Sequence, residues 1–127
     1  MGTPGNAARR ILVVDDDEAV CSTIKILLSL DSYQVTTATS GREGLSLYEH
    51  SQFDLIITDY RIPDLRGDQL AAAIRKLTAG QKILMMTAYG DSLRLSGNAA
   101  PMVDRIISKP FDIGEFRETI RQLTANP

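Results

Sequence analysis

The segment Leu55-Ile56-Ile57-Thr58-Asp59, followed by a turn at Pro63, constrains the chain more than any other. An apolar run this short and unbroken fits a strand covered on both faces, as the strands of a parallel sheet are. Such a strand carries Asp59 to its C-terminal tip. In an open parallel sheet, ligands sit outside the carboxyl ends of the strands, where strand order reverses. A carboxylate delivered there either caps the following turn, as Asp often does, or takes part in chemistry. The other strand tips decide between these roles.

Ile11-Leu12-Val13-Val14 is a second unbroken run and ends in Asp15-Asp16-Asp17-Glu18. Val20, Ile24, Leu27 and Leu28 follow at helical spacing, so Asp17 and Glu18 suit the positive end of a helix dipole. Asp15 and Asp16 still belong to the strand tip. Tyr33 to Ala38 reads as a more polar strand, after which Ser40-Gly41 opens a helix carrying Leu45, Leu47 and Tyr48. Asp68 is expected to cap a third helix with Leu70, Ile74 and Leu77 on one face, ended by Gly80. Ile83-Leu84-Met85-Met86 is another buried strand with Thr87 at its tip. A fourth helix is expected from Asp91 to Asn98, although Gly97 and Asn98 oppose it. A strand from Asp104 to Ser108 finishes on Lys109-Pro110-Phe111. The final helix begins at Asp112, with Glu115 three residues on, and turns Ile113, Phe116, Ile120 and Leu123 inward. Five strands alternating with five helices predict a parallel sheet with helices on both faces, because right-handed crossovers place them there.

Residues 1–8 lack periodicity and read as a flexible leader, leaving one domain over residues 9–127. With 43% hydrophobic residues in a chain of 127, that domain can bury an ordinary core. A formal net charge of -2, from 14 basic and 16 acidic residues, gives no case for nucleic-acid binding or electrostatic membrane attachment. One cysteine, Cys21, excludes an internal disulfide, and no apolar run is long enough for a signal peptide or a span. A reducing, cytoplasmic setting is the expectation. Cys21 reads as core packing, and His50, at a helix end, suits the helix dipole.

The tips can now be compared: Asp15-Asp16, Asp59, Thr87 and Lys109. With the strand order 2-1-3-4-5, the switch point lies between strands one and three and brings the acidic tips side by side. Crowded carboxylates raise one another's pKa unless they share a cation, which points to a hard divalent ion such as Mg²⁺. A hydroxyl and an ammonium complete the surroundings that a transferring phosphoryl group needs. Together these groups describe formation of an aspartyl phosphate on a carboxylate nucleophile.

In this order and spacing, Ile11 to Asp17, Asp54 to Asp59 with Pro63 and Gly67, Met86-Thr87-Ala88 and Ser108-Lys109-Pro110-Phe111 form a specific set. From Arg10 to Leu123 the chain resembles the receiver domain of two-component response regulators. The resemblance implies a flavodoxin-like fold and a phosphoryl group taken by Asp59 from the phosphohistidine of a sensor histidine kinase or a phosphotransfer protein. It implies direct Mg²⁺ binding by Asp16, Asp59 and the backbone carbonyl of Arg61, with Asp15 acting through water. Thr87 and Lys109 would contact the phosphoryl oxygens, and Lys109-Pro110 stands where the family often has a cis peptide. Signalling, to an output domain or a second copy, would run through the face of the fourth helix, fifth strand and fifth helix. The chain departs from the family at Ile106, where an aromatic residue is usual, and Arg61 and Tyr89 would flank the hydrolytic water.

Two other classes share parts of this pattern. A Mg²⁺-dependent phosphatase with an Asp nucleophile has an Asp-x-Asp at its first strand, but this chain lacks room for a cap insertion and substrate pocket. A degenerate receiver that only binds a partner would have no need of the intact acid, threonine and lysine set. A flavin site would want amide donors where this chain has acids. Because Tyr89 is expected to tune the lifetime of the phosphorylated state, Tyr89→Ala should change the dephosphorylation rate. An unchanged rate would remove Tyr89 from that role.

Overall fold

The three apolar runs form the middle of a five-stranded parallel sheet of order β2-β1-β3-β4-β5, in a computed structural model that describes residues 8–88 and 103–125. The strands are β1 (Arg10–Val14), β2 (Gln34–Ala38), β3 (Leu55–Asp59), β4 (Ile83–Ala88) and β5 (Arg105–Lys109). This is the flavodoxin-like, doubly wound order expected from the alternation of elements. Every residue of β3 is buried, as a central strand covered on both faces must be, whereas the edge strands β2 and β5 are mixed.

Four helices cover the described sheet: α1 (Glu18–Leu30), α2 (Gly41–Glu49), α3 (Gly67–Leu77) and α4 (Ile113–Thr124). The helix expected over residues 91–98 lies outside the described residues, as does Tyr89. Period-two alternation along the strands divides the core in two. Leu12, Val14, Ile56, Ile83 and Met85 pack with Tyr48 of α2 and Leu70, Ala71 and Ile74 of α3. Ile11, Val13, Ile57, Leu84 and Met86 pack with Ile24 and Leu28 of α1 and Phe116 and Ile120 of α4. Cys21 belongs to this second cluster, as a core thiol, and burial pushes its pKa up to about 11. Among the described residues, no helix is long and apolar enough to cross a membrane.

Local chemistry sets the helix ends. Asp17 caps α1 by accepting from the Ala19 amide, Ser40 caps α2 by accepting from Glu43, and Asp112 caps α4 by accepting from Glu115. The expectation for α3 is corrected. Its cap residue is Arg66, whose own amide donates to Gln69 Oε1 at 3.0 Å, and Asp68 sits in the first turn, bonded to the Arg66 guanidinium. The helix starts early because Gly67 can donate to the Tyr60 carbonyl, at 2.8 Å. α3 also stops at Leu77, three residues before Gly80, with Thr78 as its C-cap.

Three further expectations shift. Leu77 is 56% exposed in the last turn of α3, where it lines an open groove with Tyr48, Phe53 and Gln81. Ile113 is 52% exposed, and the aromatic that packs on Phe116 is Phe111, at 4.3 Å between ring centroids. Tyr33 precedes β2, and its hydroxyl bonds Thr124 Oγ1 at 3.0 Å, tying the end of α4 to the loop after α1. In the same region the Arg117 guanidinium forks onto Asp31, the C-cap of α1, and holds its carboxyl below the usual range. His50, the C-cap of α2, is exposed, and its ring bonds the Ser46 carbonyl.

α1 ends in a paired turn: Ser32 donates to the Ser29 carbonyl and Tyr33 to the Leu28 carbonyl. This geometry demands a left-handed residue, and the position is filled by Ser32 at φ 71° rather than by glycine. A side chain there costs about 1–2 kcal/mol. Ser32→Gly should therefore stabilise the domain by about 0.5–1 kcal/mol, less than the strain relieved because glycine loses more chain entropy on folding. Thermal melts should show a rise of a few degrees.

Candidate functional site

The register aligns the strand ends: Val14 lies opposite Thr58, Asp59 opposite Met86, and Thr87 opposite Ser108. Asp15 extends this edge, its amide bonded to the Ala38 carbonyl of β2 at 3.1 Å. By alternation Asp15 follows Val13, Asp59 follows Ile57 and Lys109 follows Ile107, so all three side chains share the face covered by α1 and α4. Asp15 and Asp59 come from adjacent strands. β5 lies two strands from β3, about 10 Å at the usual spacing. Only a long side chain spans that distance. Lys109 does so, with Nζ at 2.9 Å from Asp15 Oδ2 and 3.1 Å from Asp59 Oδ1.

Burial sharpens the electrostatics, since Asp15 is 1% exposed and Asp59 9%. Loss of solvent raises the pKa of Asp59 first, and the charges of Asp15 and Asp16 add to this, against the opposing pull of Lys109. Burial alone would lower the pKa of Lys109. Its hydrogen bonds and ion pairs with Asp15 and Asp59 outweigh that, so the ammonium titrates above its ordinary range and stays charged.

One carboxylate oxygen each from Asp15, Asp16 and Asp59 lies within 4.8 Å of the others. Oxygens around an octahedral Mg²⁺ are spaced by about 3 Å to about 4.2 Å, so small side-chain rotations would complete a hard-cation site. Three carboxylates and one ammonium leave a net charge of -2, which one divalent cation cancels. The donor set therefore fits Mg²⁺.

The other expected site residues are placed less directly. Thr87 reaches the same sheet edge, but it follows Met85 in the alternation, on the other face from Asp59. Its Oγ1 is the buried side-chain polar atom without a partner among the described residues. Leaving a hydroxyl dry and unpaired costs about 1–3 kcal/mol, and such a group is available to a ligand oxygen. Arg61 is exposed in the loop between β3 and α3. Ile106 lies opposite Met85 and is half-buried against the α2 and α3 side of the core. The Lys109-Pro110 peptide is cis.

Two contacts at the site had no sequence signal. A Cβ on Gly67 would stand 2.3 Å from the Asp59 carbonyl oxygen and 2.9 Å from Tyr60 Cα, so only glycine permits the loop to close against Asp59. Asp64 receives the Gly41 and Arg42 amides, each at 2.9 Å, across 23 and 22 residues of sequence. The proline and glycine spacing marked a turn, but neither pairing is local enough to be read from pattern.

Comparison with known proteins agrees with this geometry. The family described as the response regulator receiver domain matches residues 11–121. The chain is 36% identical over 115 residues to the response regulator MprA of Mycolicibacterium vanbaalenii, covering 90% of this chain and 49% of that protein. It is 33% identical over 102 residues to the transcriptional regulatory protein GlrR of Escherichia coli K12, covering 80% of this chain and 23% of that one. The chain thus spans half or less of the length of these relatives. Among solved structures it is similar to the response regulator TrrA of Thermotoga maritima, in complex with Mg²⁺-BeF, with a TM-score of 0.84 and 32% identity over 91% of this chain and 98% of that one. The chain belongs to the response regulator receiver domain family, and its role is the regulatory one of a two-component signal receiver.

Without a divalent cation, the folded pKa of Asp59 lies above its unfolded value of about 3.9. Its contribution to stability is therefore full below that unfolded pKa and is lost as pH rises through the folded pKa. Asp59→Asn removes this loss. Melting in the presence of a chelator should show the variant more stable than wild type at pH 7, with the gain shrinking as pH falls toward 4.

Proposed function

We propose that Asp59 is the phosphoacceptor, taking a phosphoryl group from a phosphohistidine of a sensor histidine kinase or a phosphotransfer protein. The observation that carries this reading is the single ammonium of Lys109 bridging Asp15 and Asp59 beside a third carboxylate. An ionised carboxylate needs no general base. Asp59 attacks phosphorus, the new O–P bond forms as the donor P–N bond breaks, and the leaving imidazole takes up a proton.

Asp16, Asp59 and the Arg61 carbonyl would hold Mg²⁺ directly, with Asp15 acting through water. When bound, the ion neutralises charge on the phosphoryl oxygens. Lys109 is already charged and within reach of Asp59, so it can exchange a carboxylate partner for a phosphoryl oxygen without leaving the site. The unpaired Thr87 hydroxyl is the remaining donor. A phosphoryl group adds about -1.5 to -2 of charge, and satisfying Thr87 would draw the end of β4 toward it. That movement, passed to β5 and α4, is the proposed signal to an output domain, a partner or a second copy. With Ile106 in place of an aromatic, it passes through an aliphatic side chain. Arg61 and Tyr89 would set how long the phosphoryl group survives, through the domain's own dephosphorylation.

Intact-mass spectrometry after incubation with acetyl phosphate tests the reading. Wild type should gain one phosphoryl group only when Mg²⁺ is present, and Asp59→Asn should gain none. A gain that survives in the variant would move the acceptor elsewhere, and many turnovers per domain would indicate a phosphatase.

A further inference from the structure

The loop between β3 and α3 is held at two points, one against its own ends and one against a helix more than twenty residues earlier in the chain. At one end Gly67 presses on the Asp59 carbonyl and donates to Tyr60, as does Ile62 at 3.2 Å. At the other, both oxygens of Asp64 are engaged by the first two amides of α2. Leu65 closes the same junction, since a Cβ on Gly41 would lie 2.6 Å from Leu65 Cβ and 2.7 Å from its carbonyl oxygen.

α2 does not need Asp64 to have a cap of its own. Ser40 Oγ accepts from Glu43, and Glu43 Oε1 in turn accepts from Thr39, each at 3.0 Å. What Asp64 adds is the attachment of the loop to the helix. The two amides also hold its carboxyl below the usual range, so the tether stays ionised at neutral pH. Between the two points lie Tyr60 to Pro63, and with them the backbone of Arg61.

We infer that Asp64 is a positioning residue for the divalent cation, fixing the Arg61 backbone at the site by tying its loop to the N-terminus of α2. This rests on the reading of the site given under Proposed function. Asp64 touches neither cation nor phosphoryl group. Its effect passes through the backbone, as outer-shell contacts of a metal site commonly do.

The test compares Asp64→Ala with Ser40→Ala, which weakens the same helix end but leaves the loop tethered. Mg²⁺ affinity of the unphosphorylated domain is read by isothermal titration, and acetyl phosphate labelling by intact mass at limiting and saturating Mg²⁺. Asp64→Ala should weaken Mg²⁺ binding about tenfold, a typical loss for an outer-shell partner. It should slow labelling at limiting Mg²⁺ and label normally at saturation. Ser40→Ala should lower the melting temperature with Mg²⁺ affinity unchanged. Asp64→Asn, which keeps one strong acceptor, should fall between and replaces the alanine variant if that one is unfolded at the assay temperature. Equal affinities in the Asp64 variants and wild type, or an equal loss in Ser40→Ala, overturn the inference while leaving Asp59 as acceptor. A wild type that neither binds Mg²⁺ nor is labelled overturns the reading of the site and this inference with it.

Discussion

Everything at the functional edge depends on one ion-pair arrangement, the Lys109 ammonium shared between Asp15 and Asp59. Two carboxylates this buried repel each other, and Asp59 would lose its charge more readily without the lysine. The pairing opposes the effect of burial on Asp59, at an edge from which much of the solvent has been removed. It also leaves the site short of positive charge.

The scaffold supplies the rigidity this arrangement needs. The central strands are buried on both faces, and each core cluster joins strand residues to a helix pair, so the strand tips cannot drift independently. Opposite the site, α1 and α4 are joined by the Arg117–Asp31 fork and the Tyr33–Thr124 hydrogen bond. The β3–α3 loop is held by the seat of Gly67 against Asp59, by backbone bonds to Tyr60 and by the Asp64 carboxylate on α2. The Thr87 hydroxyl, without a partner among the described residues, lies at the same edge.

The family match and the geometry address different questions. The family fixes the role of the domain as a signal receiver, and the geometry shows which acids gather with Lys109 at one sheet edge. Ile106 is a half-buried aliphatic side chain packed against the α2 and α3 side of the core.

The sequence by itself determined the sheet. Short unbroken apolar runs between helical patterns fit strands covered on both sides, and in a parallel sheet the acids, the hydroxyl and the lysine at the strand ends fall on one edge. Helix ends set by local hydrogen bonds, at Ser40 and Asp112, were legible for the same reason, since both partners lie within a turn. Asp68 was misread because Gly67 begins the helix against the Tyr60 carbonyl, a contact made by the folded loop. Leu77 and Ile113 were misread because helical spacing identifies a face but not where along the helix the core ends. Only the tertiary structure decided that Lys109 bridges both acids, that Gly67 seats against Asp59 and that Asp64 ties a loop to a distant helix. Each of these contacts is longer-ranged than a helical turn or a strand alternation, and periodicity and capping rules describe only what near neighbours along the chain can do.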